Sequence, residues 1–163
     1  MDGEIDAGPS ANRGVVVADE VTTPIEGDGY AVGSLDGIGE GYGFRKIRRE
    51  LGVSAFGINA VVLPAGYESG RHFHDEQEEV YFVHRGRLEF EFGDGSKHVL
   101  GEGGMARVDP PTVRKMKNVG ETDAVYVVAG GKDGYVGRDG RVPEDETSPR
   151  GPGFSGPAGA ASS

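Results

Sequence analysis

The sequence contains no cysteine. Disulfides, thiolate zinc sites and cysteine nucleophiles are therefore excluded, and any metal must be held by His, Asp, Glu or water. Long apolar runs are also missing, since none approaches the ~20 residues that span a bilayer. Positive charge is scarce: 17 Lys and Arg stand against 27 Asp and Glu, for a net charge of −10. Such a surface repels phosphate backbones and anionic lipids, which argues against nucleic-acid and membrane partners. The stretch MDGEIDAGPSANRG has neither a basic start nor an apolar run, so no signal peptide is expected and a cytoplasmic location is.

Glycine is plentiful, 30 residues in 163, against about 7% in average usage. Part of it lies near the ends. The rest punctuates short apolar runs, as a many-turned β protein requires. The length suits one domain with flanking segments. Residues 1–42 read as an N-terminal arm, extended in part, with VVVADEV (15–21) as a candidate strand. FRKIRRELG (44–52) places Phe44, Ile47 and Leu51 on one helical face and ends on Gly52, a C-cap residue. The basic cluster Arg45, Lys46, Arg48 and Arg49 reads as a solvated or acid-paired helix face.

From residue 53 the period changes. VSAFGINAVVL, EVYFVH, RLEFEF, KHVL, MARV, VRKMKN and AVYVVAG follow one another with turns between them. RLEFEF alternates strictly, with Leu88, Phe90 and Phe92 on one face. GDGS (93–96) is a hairpin turn. Regularly spaced short strands with almost no helix between them predict an all-β antiparallel sandwich or barrel over 43–135. Residues 136–163 are rich in Gly, Pro and Ser and read as a flexible tail. GKDGYVGRDG (131–140) opens no helix and matches no nucleotide motif, so it is discounted as a phosphate cradle.

The chemistry concentrates in GYESGRHFHDEQEEVYFVHRG (66–86). Residues two apart on a strand share a face, so His72 and His74 point the same way and Phe73 away. Asp75, Glu76 and Gln77 break the strand, and the next one returns Glu79 to that side. Tyr81 and Val83 then follow Glu79 inward, while Val80, Phe82 and His84 point out. Two imidazoles and a carboxylate from adjacent strands form a facial set for a divalent Fe, Mn, Ni, Co or Zn ion with positions left open. His84 and His98 are expected to be solvated.

Gly66, His72, His74, Glu79 and Gly86, separated by five, one, four and six residues, match in full the first motif of the cupin superfamily. The second motif is matched in part by GMARVDPPTVRKMKN, through Gly104, Pro110 and Asn118. Arg114 stands where the family usually carries its last histidine ligand, and the turn is Pro-Pro-Thr without the usual glycine. The resemblance covers about 55–130. It implies a single jelly-roll β-barrel, often a homodimer, with a divalent metal held by His72, His74 and Glu79. Dioxygenases, isomerases and decarboxylases all fall within it.

A guanidinium has no lone pair to give a metal. Two arrangements follow. In one, a metal sits on the three ligands, Arg114 anchors an anionic, carboxylate-bearing substrate, and Tyr81 donates a proton. In the other, Arg114 pairs with Glu79 in a metal-free pocket that binds a small molecule without catalysis. The expected activity is a metal-dependent dioxygenase first and an isomerase or epimerase second. The outward Val80 and Phe82 suggest cover by a second subunit.

Overall fold

Alternation in the sequence becomes the wall of a barrel. A computed structural model describes residues 18–147. The elements in order are β1 (Ile25–Gly27), β2 (Tyr30–Val32), a 3-10 turn (Asp36–Ile38), β3 (Gly43–Arg45), α1 (Ile47–Leu51) and β4 (Gly57–Leu63). They continue with β5 (Phe73–His74), β6 (Glu78–Arg85), β7 (Leu88–Phe92), β8 (Lys97–Leu100) and β9 (Met105–Val108). The series closes with β10 (Arg114–Asn118), β11 (Ala124–Gly131) and β12 (Gly140–Arg141). One sheet runs β3-β4-β11-β6-β9 and a second runs β10-β7-β8, with every pairing antiparallel. Bridges from His72 to Arg114 and from Glu68 to Lys117 sew the histidine segment onto the free edge of β10. The result is an antiparallel jelly-roll barrel.

The core fills from both sheets. Leu88 and Phe90 on β7 and Met116 on β10 meet Val61 and Leu63 on β4 and Tyr81 and Val83 on β6. Tyr81 packs edge-on against Phe90, with ring centroids 5.4 Å apart. On β6 the pattern is regular: Glu79, Tyr81 and Val83 are buried, while Val80, Phe82 and His84 are exposed. Phe82 pairs with Met105, which is also exposed, so this part of the outer face is apolar. Two glycines are required by space. Gly86 has φ 85°, and a Cβ there would lie 2.8 Å from the Cβ of Ala124. A Cβ at Gly130 would lie 3.0 Å from Glu79 Cγ, so β11 passes close behind the site.

Three expectations change. Phe44 and Arg45 lie in β3, paired with Val61 and Ala60, so the helix begins only at Ile47. Edge pairing with β4 outweighs the helical spacing of so short a segment. Gly52 does close the helix, in the left-handed conformation at φ 69°. Of the candidate strand 15–21, residues 15–17 lie outside the described residues and 18–21 form no strand; the arm's strands are the separate β1–β2 hairpin. Finally, 136–147, placed by composition in the tail, includes β12, whose Gly140 and Arg141 pair with His74 and Phe73. Residues 148–163 lie outside the described residues. Among the described residues no helix is long and apolar enough to cross a membrane.

Phe90→Ala is expected to cost roughly 3–5 kcal/mol of stability, because the ring is wholly buried and its loss leaves a cavity against Tyr81. Urea unfolding followed by tyrosine fluorescence measures it; a loss below about 1 kcal/mol would contradict this core.

Candidate metal centre

The bridge between His72 and Arg114 sets the site. His72 N–H donates to the Arg114 carbonyl at 3.0 Å, and Arg114 N–H returns the bond at 2.9 Å. This pins the histidine segment beside β10 and brings the Arg114 side chain beneath both imidazoles. Pairing of β6 with β11 and β9 carries Glu79 and Tyr81 in from the opposite sheet. His72, His74 and Glu79 each offer a ligand atom, and these atoms lie within 4.8 Å of one another. The two imidazoles meet edge to face, with centroids 5.4 Å apart.

Glu79 is the hub. Its Oε2 accepts from the Tyr81 hydroxyl at 2.5 Å and from Arg114 Nη2 at 2.7 Å. Arg114 is 0% exposed, and its other donors are engaged as well. Nη1 donates to the carbonyls of Thr112 at 2.7 Å and Pro110 at 3.2 Å, and Nε faces the Tyr81 hydroxyl at 3.4 Å. The DPPT turn, read from sequence as a rigid corner, therefore has a second use: its carbonyls hold a buried guanidinium. Arg114 is thus paired with Glu79, a contact that leaves the guanidinium little to offer an incoming anion.

His74 is aimed from behind. Its Nδ1 lies 2.9 Å from Asp139 Oδ1, and Gln77 Nε2 donates to that same oxygen at 2.5 Å. The outer carboxylate oxygen of Asp139 accepts the backbone N–H groups of Glu76 and Gln77. The other ring nitrogen, His74 Nε2, is buried and faces Glu79 Oε2 at 3.3 Å, off the alignment of a well-formed hydrogen bond. Sequence reasoning missed the roles of Asp139 and Gln77. Gln77 sits in the polar break and Asp139 in a Gly-rich stretch; neither spacing nor period marks them.

Electrostatics follow from these contacts. Burial opposes the charge on Glu79, but hydrogen bonding and charge from His74, with Arg114 and Tyr81, hold its carboxyl down at about 2. Burial, reinforced by the Arg114 cation, pushes His72 down to about 4, so this imidazole is neutral at neutral pH. Burial likewise opposes the charge on His74, but Glu79 and Asp139 more than offset it and raise its value. Burial lifts the Tyr81 phenol well above its ordinary range and keeps it a proton donor. Burial opposes the charge on Asp139 too, and the N–H groups of Gln77 and Glu76 still bring it to about 2.

The donor set fits a divalent cation. His72 is neutral, Glu79 is ionised, and His74 Nε2 is buried beside the Glu79 carboxylate. Arg114 takes no part as a ligand, for want of a lone pair, and its charge beside Glu79 weakens the attraction for a metal.

Residues 59–130 match the family model described as a cupin domain. The barrel belongs to the cupin superfamily. Among solved structures, this cupin is similar to one described as a sugar phosphate isomerase from a cupin superfamily of Silicibacter pomeroyi. That pair shares 27% identity over 64% of this chain and 60% of the other, with a TM-score of 0.51. A cupin protein of Bacteroides fragilis follows at 21% identity, 57% and 77% coverage and a TM-score of 0.51. A DMSP lyase of Ruegeria pomeroyi matches at 20% identity, 58% and 46% coverage and a TM-score of 0.50. The chain thus spans less than two thirds of the isomerase and the lyase. No curated protein matches it.

Arg114→Met is expected to destabilise the fold by about 3–5 kcal/mol, since it removes the fixed cation from the buried Glu79 carboxylate. Adding Glu79→Leu to Arg114→Met should recover a large part of that loss. A chemical-denaturation cycle on the metal-free protein measures both, and strictly additive losses would contradict the pairing.

Proposed function

We propose that this cupin is a metal-dependent enzyme, with one divalent ion held by His72, His74 and Glu79 and a small substrate taken at the positions they leave open. The observation that carries the reading is the convergence of the three donors, with His74 Nε2 buried 3.3 Å from Glu79 Oε2 and outside good hydrogen-bond geometry. Buried donors so placed cost free energy unless a proton shared with Glu79 or a cation meets them. Two histidines and one carboxylate are the facial set used with iron in oxygen chemistry, so a dioxygenase acting on a small oxygen-bearing substrate is the first reaction assigned. When bound, the ion supplies Lewis acidity and, if redox-active, electrons for O2.

The chain's own residues do the rest. Asp139 and Gln77 hold the His74 ring. Tyr81 donates its hydroxyl to Glu79 and lies 3.5 Å from His72 Nε2, beside whatever that nitrogen holds. Arg114 neutralises Glu79 and fixes the floor of the pocket through Pro110 and Thr112. An isomerase is the second reaction, favoured by the 27% identity with the sugar phosphate isomerase structure. A metal-free binding module is the remaining reading, favoured by the 2.7 Å Arg114–Glu79 pair.

Elemental analysis of wild type beside His72→Ala, after incubation with Fe, Mn, Ni and Zn, tests the proposal. About one equivalent in wild type and almost none in the variant is expected, because two ligands do not hold a divalent ion as three do. No metal in either would leave the binding module. Oxygen uptake with candidate substrates then separates the dioxygenase from the isomerase.

A further inference from the structure

The stretch from 139 to 146 runs along the segment that carries both histidines. Gly140 pairs with His74 and Arg141 with Phe73. Arg141 Nη2 lies 2.6 Å from Asp75 Oδ2, and Glu146 accepts from the backbone and side chain of Arg71. An ordinary surface strap makes contacts of this kind. It has no need of a buried carboxylate, and Asp139 is only 7% exposed.

The two oxygens of Asp139 do separate work. Oδ2 accepts the N–H groups of Glu76 at 3.0 Å and Gln77 at 2.9 Å, which fixes the loop between β5 and β6. Oδ1 takes the Gln77 amide and faces His74 Nδ1 at 2.9 Å. Gln77 Nε2 and His74 Nδ1 lie 3.1 Å apart, and with the proton on Nδ1 both donate to that one oxygen. Burying a carboxylate is costly unless its lone pairs are used, and here four donors use them. The chain also bends to deliver it: Arg138 has φ 57°, a left-handed conformation that residues with a Cβ avoid.

We propose that Asp139 is a positioning residue for His74, and that docking of the 139–146 strap is coupled to binding at the histidine site. A carboxylate at Nδ1 keeps a proton there and fixes the ring plane, so that Nε2 is the nitrogen turned to the pocket. Without it the ring is free to turn and to exchange nitrogens. By reciprocity, whatever binds at Nε2 steadies the strap. The coupling rests on the metal reading above; the positioning role does not.

Two readouts on the full chain test this. In the metal-free protein labelled with 15N-histidine, wild type is expected to show a slowly exchanging, downfield Nδ1–H signal from His74. Asp139→Ala should lose it, and Asp139→Asn, which keeps one acceptor oxygen, should retain it in part. In calorimetric titration with Zn2+, Asp139→Ala should bind about 10–100-fold more weakly than wild type, with Asp139→Asn between them. Arg141→Ala cuts a surface contact of the same strap and should stay within about twofold of wild type. A His74 signal unchanged in Asp139→Ala would overturn the proposal. So would zinc affinity that falls as far in Arg141→Ala as in Asp139→Ala, since the strap as a whole and not the carboxylate would then matter. If wild type binds no zinc but Asp139→Ala loses the N–H signal, the metal reading fails and the positioning role stands. If the alanine variant does not fold, the asparagine variant carries both readouts.

Discussion

The buried pair between Arg114 and Glu79 is the constraint around which this barrel is arranged. A guanidinium with no exposure is tolerable only when its donors are met, and here they reach Glu79, Tyr81 and the carbonyls of Pro110 and Thr112. Those partners come from β6 and from the turn before β10. One side chain therefore ties the two sheets together at the open end of the barrel. His74 and, after it, Arg114 hold Glu79 ionised, and burial beside Arg114 keeps His72 neutral. The site's state of charge is thus a product of the fold's own packing.

This arrangement also explains how an arginine can occupy a position where the family usually has a ligand. A third imidazole would add a lone pair to the metal. A guanidinium adds a positive charge and takes up one oxygen of the carboxylate ligand. A metal held by the three donors would bind more weakly and keep one more position open than with a third imidazole. The pocket then depends more heavily on how well the remaining histidines are aimed. His74 is held by two side chains behind it, Asp139 and Gln77, while His72 is held by its backbone bridge to Arg114.

Much of this was legible in the sequence, for reasons that can be named. Period-two alternation located β6, β7 and β10 closely, because each has one face against the core: Glu79, Tyr81 and Val83 in β6, Leu88 and Phe90 in β7, Met116 in β10. The spacing of His72, His74 and Glu79 brought out the cluster, since strand geometry alone puts the first two on one side. What was not legible depends on long-range contacts. Phe44 and Arg45 became strand because β4 offered a free edge. Asp139 became part of the site because β12 pairs with β5, Gly140 lying 66 positions after its partner His74, and its glycine-rich surroundings carry no apolar period. The anchoring of Arg114 by backbone carbonyls leaves no trace in residue types at all.

The most direct measurement is anomalous diffraction at the metal edge from crystals of the protein loaded with Fe, Mn, Ni or Zn. The account predicts one strong peak within bonding distance of His72, His74 and Glu79, with Arg114 near Glu79 and outside the coordination sphere. A peak elsewhere, or none with the 2.7 Å Arg114–Glu79 pair intact, would contradict it.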